Sequence, residues 1–155
     1  MLLPDAMPPV EVSPERCFQF PGSAYPANRF YNGPIAFKKH YYEQPADMNG
    51  EEASCAAVID NLPQVEYWVK NVERQPEHSF WLQTATDRFY PDFVALLDDG
   101  RHLVVEFKGA DRLTMDDTKE KKILGELWEA RSNGRCVFRL VGVRNMESEI
   151  RRAIA

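Results

Sequence analysis

The sequence predicts one α/β domain, and three features carry that expectation. Residues 92–97 and 102–107 are runs of Val, Leu, Phe and Ala either side of a Gly-containing turn, the pattern of two paired strands. Both runs hardly alternate with polar residues, and a strand apolar on both faces is usually covered on both faces, as in the centre of an α/β sheet. Two segments with helical periodicity, 49–61 and 115–132, flank the pair, and another apolar run follows at 136–143. At 155 residues the chain is long enough for one domain with a real core and too short for two sizeable domains.

Taken in order, seven of the eleven prolines fall in the first 34 residues, so residues 1–34 read as an irregular leader and 35–155 as the folded domain. Asn32-Gly33-Pro34 is expected to form a turn between short strands within 30–37, with 37–43 as one extended segment. The first helix runs from about Asn49 to Asn61, capped by Asn49, with Glu51 and Glu52 in its first turn and Pro63 as its stop. Glu52, Ala56 and Ile59 share one face, which puts Glu52 along the apolar side. Residues 65–71 and 79–84 read as two strands joined as a hairpin through a link containing Pro76, with Val65, Tyr67 and Val69 alternating against Glu66, Trp68 and Lys70. A helix from about Met115 to Ser132 opens on Asp116 and Asp117, ends before Gly134 and has Ile123, Leu124, Leu127 and Trp128 as its core stripe. A last strand and a short helix from Met146 to Ile154 close the chain. Trp68, Trp81 and Trp128 read as core.

The apolar hairpin is also the candidate site, because a buried hairpin has no structural use for Asp92, Glu106 and Lys108. Glu106 and Lys108 lie two apart, so their side chains share a face while Phe107 points to the other. The place of Asp92 depends on the turn. A two-residue Asp99-Gly100 loop sets Asp92 opposite Phe107, on the wrong face. A three-residue Asp98-Asp99-Gly100 loop, a type I turn closed by a left-handed Gly, sets it opposite Glu106. Directly opposed residues have Cβ atoms roughly 4.5 to 5.5 Å apart. Two carboxylates that close repel unless a cation joins them, and Mg²⁺ commonly takes one or two carboxylates and keeps several waters. The bland alternative is a solvated i, i+2 ion pair between Glu106 and Lys108. For Glu51 and Glu52 it is that they complement the helix dipole.

Other features bound the function. The formal charge of −5 and pI near 5.3 argue against broad electrostatic binding of nucleic acid. Lys38-Lys39-His40-Tyr41-Tyr42 mixes basic and aromatic side chains able to contact phosphate and stack on bases, or else forms an amphipathic edge. Lys119 and Lys122 follow the hairpin and can reach a phosphate from one helix face, or lie on a solvated one. His40, His78 and His102 share no metal-ligand spacing and read as incidental. Cys17, Cys55 and Cys136 are far apart with no Cys-x-x-Cys pair, which points to free thiols in a reducing compartment. No signal segment and no run of eighteen apolar residues is present, so a cytoplasmic protein without a membrane partner is expected. The absence of a Gly-x-x-x-x-Gly-Lys-Ser/Thr segment excludes a motor of the P-loop type in this chain.

Pro91-Asp92, the fourteen residues from Asp to Glu, and Glu106-Phe107-Lys108 after apolar residues resemble the PD-(D/E)xK, or restriction endonuclease-like, nuclease superfamily. With Gly50-Glu51-Glu52, Cys55-Ala56, Val65–Asn71 and Ser79–Leu82, residues 35 to 143 look like the carboxy-terminal nuclease domain of type III restriction enzyme subunits and related helicase-nuclease proteins. The resemblance implies an αβββαβ core, a mixed central sheet flanked by helices. It also implies Mg²⁺- or Mn²⁺-dependent hydrolysis of DNA phosphodiesters in restriction, defence or repair, beside a separate helicase or ATPase subunit and with a homodimer as one arrangement. By position it makes Asp92, Glu106 and the Phe107 backbone carbonyl metal ligands and Lys108 the residue that orients or activates water. Glu52 would be the helical acid that reaches metal through water. Independently of the resemblance, Lys38, Lys39, Lys119 and Lys122 are the candidate nucleic-acid contacts. The rival expectations are a non-catalytic nucleic-acid-binding or assembly module on the same fold, and an RNase with the same residues.

Overall fold

Ahead of the first helix, the Asn49 side chain accepts the Glu52 amide at 2.8 Å while Glu52 Oε1 accepts the Asn49 amide at 2.9 Å. This reciprocal capping box satisfies two amides that the first turn would leave unpaired, and it starts α1 (Gly50–Asp60). In the computed structural model, which describes residues 25–109 and 115–155, α1 is followed by β1 (Val65–Lys70), β2 (Leu82–Gln83), β3 (Arg88–Phe89), β4 (Phe93–Leu97) and β5 (His102–Phe107). Then come α2 (Met115–Arg131), β6 (Cys136–Val141) and α3 (Met146–Ile154). Most of the expected leader, including Cys17 and Pro4-Asp5, lies outside the described residues.

The architecture is mixed α/β. Four strands form a sheet in the order β1-β4-β5-β6, antiparallel between β1, β4 and β5 and parallel between β5 and β6. A parallel neighbour cannot be reached by a tight turn, and α2 is the crossover that makes it possible. Helices cover both faces, which is why β4 and β5 are apolar throughout. On one face Ala56 and Ile59 of α1 and Ile150 and Ile154 of α3 pack with Trp68, Phe93, Leu97, Leu103 and Val105. On the other, Leu124 and Trp128 of α2 pack with Val94, Val104, Phe138 and Phe89.

Three expectations about elements are corrected. Residues 65–71 and 79–84 do not form a hairpin: β1 pairs with β4, and β2 pairs with β3 as a separate two-stranded ribbon. The cause is Asn71, whose buried side chain donates to the carbonyls of Phe80 and Pro91 and accepts the Phe80 amide. These bonds close residues 72–91 into an excursion and leave β1 free to meet β4. Residues 30–37 form no pair of strands, only an isolated bridge from Phe30 to Ala46, and the segment at 37–43 touches β1 through a single bridge between His40 and Trp68. Ile123 is 53% exposed, so the apolar face of α2 is Leu124 and Trp128 with Leu127 half-buried, and Trp81 is only half-buried. No helix among the described residues is long and apolar enough to cross a membrane.

Candidate active site

The turn between β4 and β5 has three residues. Leu97 donates its amide to the Arg101 carbonyl at 2.8 Å and Gly100 donates to Leu97 at 3.0 Å, enclosing Asp98, Asp99 and Gly100, with Gly100 at φ 90°. Phe93 then stands opposite Val105, so the next pair outward is Asp92 and Glu106. Each carboxylate is anchored by the other's strand. Asp92 Oδ2 accepts the Phe107 amide at 2.8 Å, and Glu106 Oε1 accepts the Asp92 amide at 3.1 Å. One oxygen of each acid is thereby fixed to backbone, and Asp92 Oδ1 and Glu106 Oε2 are left facing cations.

Three ammonium groups meet those oxygens. Lys70, at the end of β1, lies 3.4 Å from Asp92 Oδ1, and Lys108 and Lys121 each lie 3.4 Å from Glu106 Oε2. Asp117 of α2 closes a ring of charges, 3.7 Å from Lys108 and 3.3 Å from Lys121. By strand alternation Glu106 shares the α2 face with Val104, while Lys70 shares the other face with Trp68 and lies over the Phe93 ring. Asp92, in the turn into β4, therefore sits at the end of the sheet where the two faces meet.

Burial decides the protonation of Glu106. Glu106 is 5% exposed, and loss of water, followed by the charge and hydrogen bond of Asp92, pushes its pKa up to about 8. Lys121 and Lys108 pull the other way without overcoming this. Near neutral pH Glu106 thus favours its protonated form. Lys121 is held above its ordinary value: burial lowers it, and Glu106 and Asp117 outweigh the burial.

The chain matches no protein-family model, no curated protein and no solved structure. The case for a function therefore rests on this geometry. The half-buried Asp92 and the buried Glu106 form a donor set of hard oxygens, and it suits an ion that takes one or two carboxylates with water and phosphate oxygens making up the rest. No group of three acidic, His or Cys side chains placed to hold one metal ion occurs among the described residues, where the close pair of acids is Asp92 and Glu106.

The remaining expected residues fall as follows. Phe107 turns its ring into the core and brings its amide to Asp92. Glu52 is half-buried and its Oε1 is engaged in the capping box. It nevertheless lies on the Asp92 side: burial raises the pKa of the Cys55 thiol, one turn along α1, and the charges of Asp92 and Glu52 add to it. The Lys39 ammonium is not free for phosphate, because it donates to the carbonyls of Leu62 at 2.7 Å and Val65 at 2.8 Å, closing the link from α1 to β1. Lys38, Lys119 and Lys122 are exposed.

Lys70, Lys121 and Asp117 are brought to the site without having been expected there. His40 is not incidental either. Its Nδ1 bonds the Tyr42 carbonyl, its Nε2 accepts the Lys70 amide at 3.1 Å, and burial pushes its pKa down to about 4, so it braces Lys70 as a neutral ring. Beside the site, a cleft of about 570 Å³ opens between the β2–β3 ribbon and the first turns of α2. Glu106, Asp117 and Lys121 line it; Asp92 and Lys108 do not.

Proposed function

We propose that this domain hydrolyses DNA phosphodiesters with Mg²⁺ or Mn²⁺, on a restriction endonuclease-like core. The observation that carries the reading is the cross-strand clasp of Asp92 and Glu106 with the Lys108 ammonium beside the second carboxylate. The element order supports it. Without the β2–β3 ribbon the chain runs α1-β1-β4-β5-α2-β6, an αβββαβ sequence of elements with the last strand parallel to its neighbour.

Asp92 and Glu106 would hold the ion between them. When bound, the ion supplies Lewis acidity at the phosphate and lowers the pKa of water. The chain's residues do the rest. The amides of Asp92 and Phe107 keep both carboxylates from rotating, so the acceptor geometry is set before substrate arrives. Lys70 neutralises Asp92 from below and donates also to the Asn71 carbonyl. Lys108, beside Glu106 and Asp117, would hold water in line and face the negative charge that develops on phosphate.

A second reading has one observation in its favour. The charged residues of the cleft are mostly acidic, with Glu73, Asp87, Glu106, Asp117 and Glu120 against Arg74, Arg88 and Lys121. Such a lining attracts a polyanion poorly. It favours a domain that receives its nucleic acid from a helicase-like partner, or that has become a binding or assembly module beside one.

Cleavage of supercoiled plasmid, single-stranded DNA and RNA by wild type, Asp92→Ala and Lys108→Ala, with Mg²⁺, Mn²⁺ or EDTA, separates these readings. Metal-dependent cutting of DNA that falls by ~10² or more in both variants is expected. Cutting retained by both would remove the assignment. RNA cut in preference to DNA would make the domain an RNase.

A further inference from the structure

We propose that Lys121 is a second substrate-contacting cation of this site, binding a non-bridging oxygen of the phosphate while Lys108 attends to the water. The inference rests on the hydrolase reading above and extends it to a residue on another element. Lys108 and Lys121 stand at the same 3.4 Å from Glu106 Oε2, one from the end of β5 and the other from α2. Only one of them borders the space a substrate would enter: Lys121 lines the cleft together with Glu106, and Lys108 is not among the lining residues. A phosphate approaching Glu106 through that cleft meets the Lys121 ammonium first.

The local structure holds Lys121 for this purpose. Asp117, one turn earlier, bonds its ammonium at 3.3 Å, and the ammonium lies 5.1 Å from the centre of the Phe89 ring on the ribbon. These contacts come from two directions and fix a side chain that is 21% exposed. Asp117 also pairs with Lys108, so one acid spans both cations and sets their spacing. A lysine serving only as surface charge has no need of a buried carboxylate, an i, i+4 acid and an aromatic face.

The test compares wild type, Lys121→Met and Lys121→Arg. Methionine removes the charge and keeps an apolar stem against Phe89; Lys121→Gln serves the same purpose if Met unsettles the fold. Steady-state cleavage of a short DNA duplex with Mn²⁺ is measured beside Mn²⁺ binding by calorimetry without DNA. Expected is a kcat lower by ~10² in Lys121→Met, a typical loss for one charge-stabilising donor, with Mn²⁺ still bound and activity largely restored by Arg. A Lys121→Met enzyme with wild-type kcat overturns the inference and leaves the hydrolase reading standing. So does a loss of Mn²⁺ binding in step with activity, since Lys121 would then act only through the carboxylates. Wild type that cuts nothing with either ion overturns both.

Discussion

Replacing Glu106 by Gln should stabilise the metal-free protein above neutral pH and leave it nearly unchanged in acid. The carboxyl's pKa stands at about 8 in the fold against an ordinary 4.5, raised first by burial and then by Asp92. Below 4.5 both folded and unfolded chains hold the proton, and the group does not disturb stability. Between 4.5 and 8 the unfolded chain releases the proton while the fold keeps it, so stability falls with rising pH and levels off above about 8. At ~1.4 kcal/mol per pH unit the whole interval amounts to about 5 kcal/mol. Glutamine does not titrate and can still accept the Asp92 amide through its oxygen, so it escapes this loss. Urea unfolding in EDTA at pH 5 and pH 8.5 reads the difference. The expected result is a variant more stable than wild type by ~2 to 5 kcal/mol at the higher pH and within about 1 kcal/mol at the lower. An equal difference at both, or a variant less stable at pH 8.5, would refute the argument that Glu106 is a strained, proton-holding acid.

Three further outcomes are expected. Because an ion bound at Asp92 and Glu106 must displace the Glu106 proton, Mn²⁺ affinity should rise close to tenfold per pH unit below about 8 and then level off; calorimetry in buffers of different ionisation enthalpy should show about one proton released, and none would count against a carboxylate site. Asp60→Ala should cost ~3 kcal/mol or more, since this buried acid accepts from the Lys38 and Lys39 amides and the Trp68 indole and the change leaves three donors unpaired; a thermal melt unchanged by the substitution would contradict the bonding. Gly125→Ala, which in an open helix gains ~1 kcal/mol, should instead destabilise by ~1 to 3 kcal/mol, because its Cβ would fall 2.2 Å from the Phe138 ring; a raised melting temperature would show that α2 does not pack so closely on β6.

Local signals located most of the elements. Asn49, Glu52 and Pro63 bracket α1, and the continuous apolar runs on either side of Asp98-Asp99-Gly100 mark β4 and β5 as the covered centre of a sheet. The pairing of β1 was not legible in the same way. It depends on Asn71, which gathers Phe80 and Pro91 from distant positions, and a side chain that bonds three backbone groups across twenty residues leaves no periodic trace. Coverage of both faces hides the rest, since Trp68 and Val69, neighbours in sequence, are both buried, one in each of the two core clusters.

The acids of the candidate site were legible and its cations were not, for a physical reason. Asp92 and Glu106 belong to strands joined by one short turn, so the loop length alone sets their register. Lys70 reaches Asp92 only because β1 pairs with β4, and Lys121 reaches Glu106 only because α2 crosses back over the sheet to place β6 beside β5. Neither approach follows from local spacing. In the second lysine-rich run, Lys119 and Lys122 are exposed and Lys121 alone turns to Glu106. A helix advances about 100° per residue, so adjacent lysines face different surroundings and composition cannot tell which one meets the sheet. What distinguishes Lys121 in the chain is Asp117 four residues before it, the spacing that pairs side chains on a helix. The same spacing elsewhere is a surface ion pair, as between Glu147 and Arg151 on α3. The two pairs differ in what stands behind them: Lys121 has Glu106, a buried acid, and Arg151 has solvent.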